Sequence, residues 1–186
     1  DTTRWINCDV WNIMDTLENT PGNAADAWKT ISYNGNYYYW EGCRAWNYGD
    51  DGIDPNGGKR VFKNCWVMSS DKYSGVNPSL ELNGIKVSTA MNPLMEQYYT
   101  PEYWQQLQQD SMVQFYNCLA MFCPGVGLYH SFGDTTDNAR WYNNTTYKCG
   151  IGISSSSFGL DSIGDVFHNN LVYNSTKTTA IGTPYE

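Results

Sequence analysis

Hydrophobic and polar positions follow a seven-residue pattern that recurs six times along the chain. Each copy has an aromatic residue first, Asn or Gly third, Cys or Asn fourth, a small or β-branched residue sixth, and Trp, Met or Tyr seventh. Consecutive copies begin 35, 22, 53, 26 and 26 residues apart. This is the signature of a structural repeat of roughly 22 to 26 residues with insertions. The copies are residues 5–11, 40–46, 62–68, 115–121, 141–147 and 167–173.

Repeats of this length that are rich in strand-forming residues are typical of a parallel β-helix. Equivalent residues of successive turns then stack about 4.8 Å apart, so that aromatic residues and Asn residues form columns. The competing all-β fold is a sandwich or jelly roll with a hairpin every 8 to 12 residues or so. The repeated pattern favours the solenoid, and we predict an all-β, parallel β-helix of about six turns.

Two insertions interrupt the regular turns. Residues 71–82 are expected to form a polar loop. Residues 91–111 carry the one good helix signal, with Thr100 as N-cap and Pro101 at the first helical position. A short helix near residues 100–110 is therefore predicted, either beside a cleft or over strand edges. Residues 1–186 are expected to form a single β-helix domain, alone or within a longer chain, because residues 4–11 already resemble an interior turn.

A second pattern, a small residue followed by an apolar one, also occurs once per turn, at residues 27–28, 52–53, 84–85, 127–128 and 150–151. The apolar member is expected to point into the core, so the next residue should point outward. The predicted outward column is Lys29, Asp54, Lys86, Tyr129 and Gly152. The residues before the pairs are Asp26, Asp51, Asn83, Val126 and Cys149.

Composition and charge narrow the class of protein. Aromatic residues make up 16% of the chain, charged residues another 16%, and the net charge is -8. This profile indicates a secreted, β-rich protein, expected to be a monomer. Nucleic acid is not an expected partner, because no basic stripe is present to neutralise phosphates. The sequence has no stretch of 18 apolar residues, so no membrane span is predicted.

The six cysteines do not have the spacing of a disulfide framework. Four of them take the fourth position of the repeat, where a small apolar core residue is expected. Cys123 and Cys149 each follow an equivalent repeat position by five residues, which places them on neighbouring turns. Either a disulfide or two buried thiols fits that placement, and free thiols are favoured.

Asp50, Asp51 and Asp54 place three carboxylates within five residues. The second pattern puts Asp26 one turn below them and Lys86 one turn above. Crowded carboxylates repel one another unless a cation joins them, and Ca2+ prefers six to eight oxygen ligands. A solvated acidic turn is the alternative, because Asp-Gly is a common turn dipeptide. The neighbours across the turns favour a calcium site.

These motifs resemble the family 9 polysaccharide lyases, which are calcium-dependent pectate lyases with a right-handed parallel β-helix. The similarity covers most of the chain apart from residues 91–111 and the ends. The sequence departs from the family at Ala27, where Gly is usual, and at Tyr129, where an acidic residue is common. The segments that carry the resemblance are residues 25–28, 43–47, 50–54, 83–86 and 117–120.

The resemblance implies a secreted lyase that cleaves an acidic plant-type polysaccharide, a polyuronate such as pectate, by calcium-assisted β-elimination. It also implies a catalytic base, Lys86, and four calcium ligands: Asp26, Asp50, Asp51 and Asp54. The chemistry is consistent on its own terms, because a divalent cation neutralises the substrate carboxylate and a lysine of lowered pKa can remove the C5 proton. The predicted substrate contacts are Arg44, Lys29 and Tyr129, and the alternative for Arg44 and Lys29 is an ordinary surface charge.

Two alternatives remain at the level of sequence. The first is a non-catalytic β-helix module that binds carbohydrate or has a structural role at a surface, with calcium that only braces the turns. The second is a lyase or hydrolase that acts on another acidic glycan.

Overall fold

The computed structural model describes residues 2–13, 25–31, 37–56, 58–69, 82–88, 113–133, 139–157 and 165–181. Within these ranges the chain forms eighteen β-strands, in three parallel sheets of six strands each. The predicted all-β parallel β-helix of about six turns is confirmed. The same ranges contain no helix, and hence none that is long and apolar enough to cross a membrane. The predicted helix near residues 100–110 and most of the predicted polar loop at 71–82 lie outside the described residues.

Each turn contributes one strand to each sheet, because every strand pairs with the strand three places later in the chain. Sheet 1 contains β1 (Thr2–Ile6), β4 (Tyr37–Glu41), β7 (Lys59–Lys63), β10 (Val113–Tyr116), β13 (Ala139–Tyr142) and β16 (Val166–His168). Sheet 2 contains β2 (Asp9–Ile13), β5 (Arg44–Tyr48), β8 (Trp66–Met68), β11 (Leu119–Met121), β14 (Thr145–Tyr147) and β17 (Leu171–Tyr173). Sheet 3 contains β3 (Trp28–Ile31), β6 (Ile53–Asn56), β9 (Ile85–Ser88), β12 (Val126–Gly133), β15 (Ile151–Ser157) and β18 (Lys177–Ile181).

The first residue of each repeat points into the core from sheet 1. Neighbouring rings in this column stack with centroids 4.1 to 5.5 Å apart. These distances follow from the spacing of parallel strands, which is about 4.8 Å, and stacked rings add to the burial of apolar surface. The column is Trp5, Trp40, Phe62, Phe115, Trp141 and Phe167.

The third repeat residue forms the corner between sheets 1 and 2, and its backbone is left-handed. The five Asn residues at this position have φ between 51° and 55°, and Gly42 has φ 64°. Asn and Gly tolerate this conformation better than other residues, which explains why the repeat accepts only these two. At the fourth position the predicted amide column is present, since Asn144 Nδ2 donates to Asn170 Oδ1 at 2.9 Å.

All six cysteines are free thiols. Cys123 and Cys149 lie on neighbouring turns as predicted, and Gly150 N–H donates to the Cys123 carbonyl at 2.9 Å. The preference for buried free thiols over a disulfide is confirmed. Four of the Sγ atoms contact a backbone carbonyl of the turn below, as Cys65 does with Trp40 at 3.5 Å.

The predicted register of sheet 3 holds as far as β12 and is wrong at β15. Tyr129 pairs with Ser154 instead of Gly152, so the small-apolar pair of this turn is residues 152–153 and not 150–151. Gly150 instead lies in the preceding corner, where an added Cβ would be 2.1 Å from the carbonyl oxygen of Pro124. Position 150 requires glycine because two backbones approach closely in this corner. Residues 150–151 therefore have the same small-apolar pattern as residues 152–153, and the sequence does not distinguish the two pairs.

Candidate metal centre

Four aspartates lie where the chain enters sheet 3 on two consecutive turns. Asp26 precedes β3, Asp50 and Asp51 precede β6, and Asp54 lies within β6. Asp51 N–H donates to Asp26 Oδ1 at 3.0 Å, which fixes the two turns relative to each other. Asp26, Asp51 and Asp54 each offer a carboxylate oxygen, and these oxygens all lie within 4.8 Å of one another. The structure thus brings together three of the four predicted calcium ligands, and Asp50 lies outside this trio.

The trio is withdrawn from solvent. Asp51 is fully buried, Asp54 is 3% exposed, and the side chain of Asp26 is 2% exposed. Asp54 Oδ1 accepts no hydrogen bond from the described residues, whereas Asp26 Oδ2 and Asp51 Oδ2 are contacted by the ammonium groups of two lysines at 3.2 and 3.1 Å. A buried carboxylate oxygen is costly when it lacks a partner, so Asp54 Oδ1 is an available acceptor for a cation, and the other two oxygens already have cationic partners.

Asn83, one turn above, holds Asp51 in place. Its amide Nδ2 donates to Asp51 Oδ1 at 2.9 Å, and its Oδ1 accepts the Val126 N–H at 2.8 Å. Asn83 is 1% exposed, so the amide satisfies both partners away from water. The sequence indicated only that Asn83 stacks on Asp51, and its role in orienting that carboxylate was not predicted.

Negative charge is disfavoured in this cluster. Burial and the charge of Asp26 raise the pKa of Asp50 to about 6. Burial and the charge of Asp50 raise the pKa of Asp51 to about 7. Burial also raises the pKa of Asp26, against the opposing effect of Lys29. A divalent cation among these groups would lower the pKa values of the aspartates and favour their ionised forms.

Lys86, the predicted base, contacts the cluster directly. Its Nζ lies 3.1 Å from Asp51 Oδ2, and its side chain is 22% exposed. Burial lowers the pKa of Lys86, but the charges of Asp51, Asp54 and Asp50 together outweigh it and raise the pKa to about 12. A general base needs the opposite shift, so Lys86 would require an additional positive charge nearby to act as one.

Lys29 was predicted as an outward substrate contact, but its ammonium group lies against the predicted metal ligands. Nζ forms a short ion pair with Asp54 Oδ2 and lies 3.2 Å from Asp26 Oδ2. Burial lowers the pKa of Lys29, but the hydrogen bond and charge of Asp54, together with Asp26, raise it overall. Lys29 thus holds two of the three carboxylates of the trio.

The other two predicted substrate contacts differ in position. Arg44 lies in sheet 2, where its Nε and a terminal nitrogen donate to the two carboxylate oxygens of Asp9 at 2.8 and 2.5 Å. The structure therefore does not bring Arg44 to the aspartates of sheet 3. Tyr129 pairs with Lys86 in neighbouring strands and, with Ser154, lines a surface depression of about 330 Å³. That depression adjoins the cluster through Asn83, which also lines it.

The donor set fits a hard divalent cation. Every candidate ligand atom is a carboxylate oxygen, the donor type that Ca2+ prefers. Four aspartates at -4 and two lysines at +2 leave the fully ionised cluster with a charge of -2, which one divalent ion would balance. The resemblance to the lyases stays an inference from motifs, because no protein-family model, no curated protein and no solved structure matches this chain.

Proposed function

We propose that the protein is a calcium-dependent lyase that cleaves an acidic polysaccharide of uronate units by β-elimination. The observation that supports this most is the contact between Lys86 and a buried carboxylate trio on the turns below it. A lysine beside a divalent-ion site is the pair of groups that proton removal next to a carboxylate requires.

The residues that would hold the ion are the trio of Asp26, Asp51 and Asp54, together with the adjacent Asp50. When bound, calcium supplies positive charge that neutralises the substrate carboxylate and the negative charge that develops at C5. Asn83 contributes by keeping one oxygen of Asp51 occupied, so that the other oxygen faces Lys86.

Lys86 is the residue that moves the proton. Its neutral amine accepts the proton of C5, the electron pair left at C5 forms a C4–C5 double bond, and the C4–O bond breaks with its electron pair on the leaving oxygen. The leaving oxygen takes a proton from solvent. Because the aspartates hold the pKa of Lys86 at about 12, the amine is rarely neutral until their charge is compensated. Activity is therefore expected to depend on the cation for the state of the base as well as for the substrate.

One observation favours the second candidate, a carbohydrate-binding or structural module braced by calcium. Both lysines of the cluster are already paired with its aspartates, which is the arrangement of an internal structural network. In that case the cation would join two turns of the solenoid without any reaction.

The test is formation of unsaturated product from polygalacturonate and other polyuronates, followed by ultraviolet absorbance, with calcium and with chelator. We expect product only with calcium, and a loss of at least about a hundredfold in Lys86→Ala, the usual scale for a missing general base. Lys63→Ala is the matched control, because it breaks a lysine–carboxylate pair with Glu41 in sheet 1. Full activity of Lys86→Ala would exclude Lys86 as the base. Calcium-dependent stabilisation without product from any polyuronate would favour the braced module.

A further inference from the structure

We propose that Lys29 is a tethered cation that occupies the aspartate cluster in the metal-free protein and must leave it before a divalent ion can bind. The proposal rests on the calcium site proposed above and assigns control of that site to a residue of the same chain. Lys29 would thus set the concentration at which the site fills.

The position of the ammonium group carries the argument. Lys29 Nζ contacts Asp54 Oδ2 and lies 3.2 Å from Asp26 Oδ2, and both carboxylates belong to the trio that meets within 4.8 Å. Calcium binds oxygens at about 2.3 to 2.6 Å and needs their lone pairs. An ammonium group that shares these carboxylates competes for the same lone pairs and repels the ion, so the two cations exclude each other.

The two lysines of the cluster differ in their freedom to leave. The side chain of Lys29 is 39% exposed, whereas that of Lys86 is 22% exposed and contacts Asp51, which Asn83 holds in place. A lysine stem is flexible and its ammonium group is well hydrated in water. Lys29 can therefore swing out while β3 stays in register, and it is the lysine that an entering ion would displace.

Displacement has a thermodynamic consequence for ion affinity. If the conformation with Lys29 in the cluster outweighs the open one about ten to one, the apparent dissociation constant for calcium rises about tenfold. Without calcium, the same contact stabilises the fold, because Asp26 and Asp54 would otherwise face each other without a cation. Removing Lys29 should thus have opposite effects in the two conditions.

The experiment is calorimetric titration of metal-stripped protein with calcium chloride. Lys29→Met keeps the apolar stem without the charge and is expected to bind calcium about tenfold more tightly than the wild type. Lys29→Arg keeps a cation, and Lys63→Met removes a similarly exposed lysine that pairs with Glu41 at 3.0 Å. Both are expected to stay within about twofold of the wild type.

Melting temperatures provide the second readout. Lys29→Met should melt below the wild type in chelator and no lower than the wild type in saturating calcium. Equal or weaker calcium binding by Lys29→Met, or the same loss of melting temperature in both conditions, would reduce Lys29 to an ordinary structural ion pair. That outcome leaves the proposed calcium site intact. Absence of calcium binding in the wild type and every variant would instead remove the site itself and this inference with it.

Discussion

Replacing Asp51 with Asn should stabilise the metal-free protein at alkaline pH and abolish calcium binding. Asp51 is a fully buried carboxylate whose Oδ1 accepts a hydrogen bond from Asn83. The amide oxygen of Asn can accept the same bond, so the substitution removes charge with little change of shape. Lys86 lies 3.1 Å from the other oxygen of Asp51, but burial and the charge of Asp50 outweigh this ion pair and raise the pKa of Asp51. Removal of the charge should therefore help the metal-free fold at alkaline pH.

The pH dependence of stability gives the size of the expected change in unfolding free energy. Burial, followed by the charge of Asp50, raises the pKa of Asp51 from 3.8 to about 7. Between these values the folded protein holds a proton that the unfolded chain has released, so stability is fully present at low pH and falls as pH rises towards 7. At about 1.4 kcal/mol per pH unit, the wild type should lose roughly 3 kcal/mol of unfolding free energy between pH 5 and pH 8 through this group. Asp51→Asn lacks that loss and keeps the smaller slopes due to Asp50, whose pKa is about 6, and Asp26, whose pKa is also raised by burial.

The assay is urea unfolding of metal-stripped protein, followed by circular dichroism at pH 5 and pH 8. The difference in unfolding free energy between wild type and Asp51→Asn should change by roughly 3 kcal/mol between the two pH values. Asp9→Asn is the control: the hydrogen bond from Arg44 lowers the pKa of the exposed Asp9, so no gain at alkaline pH is expected there. Parallel pH profiles for wild type and Asp51→Asn would refute the reasoning, because Asp51 would then ionise in the fold without penalty.

Three further outcomes follow from the packing. Phe115→Ala should cost about 3 to 5 kcal/mol of unfolding free energy in urea titrations, because it leaves a gap in the buried aromatic column, whereas Tyr116→Ala on the outer face should cost about 1 kcal/mol. Asn83→Ala should cost about 2 to 3 kcal/mol in the same assay and weaken calcium binding, because it leaves Asp51 without its amide donor. In native protein a thiol reagent should modify Cys8 first, since the other five thiols are buried, and all six should react in denaturant.

Much of the fold and of the cluster was predictable, because a parallel solenoid is nearly one-dimensional. Once the seven-residue repeat is aligned, counting residues from it predicts the register of a turn, and side chains at equivalent positions stack. Asp26, Asp51 and Asn83 were placed on successive turns in this way, and their hydrogen bonds agree with that placement. The count failed at Gly150 because backbone approach in a corner also selects glycine.

The long charged side chains were the less predictable part. Arg44 and Asp9 both take the fifth repeat position, so stacking could have revealed their pairing, and β2 and β5 do place them side by side. The position of Lys29 in the sequence gave no comparable indication of its partners. The pattern placed it on the outer face beside Asp54, but its reach back to Asp26 depends on the local balance of charge and solvation. The repeat period determines where the Cα of a lysine lies, whereas electrostatics determines the position of its ammonium group.

The charge of the cluster connects the two proposals. Parallel turns place residues of successive turns side by side, so the carboxylate oxygens of Asp26, Asp51 and Asp54 meet within 4.8 Å, with Asp50 adjacent. Lys29 and Lys86 lower that charge from -4 to -2 but cannot cancel it. Calcium that displaces Lys29 would replace a charge of +1 with +2, which leaves -1 on the four aspartates and Lys86, and would weaken the negative field that holds the pKa of Lys86 high. Filling the site and freeing the base would then be consequences of the same exchange of cations.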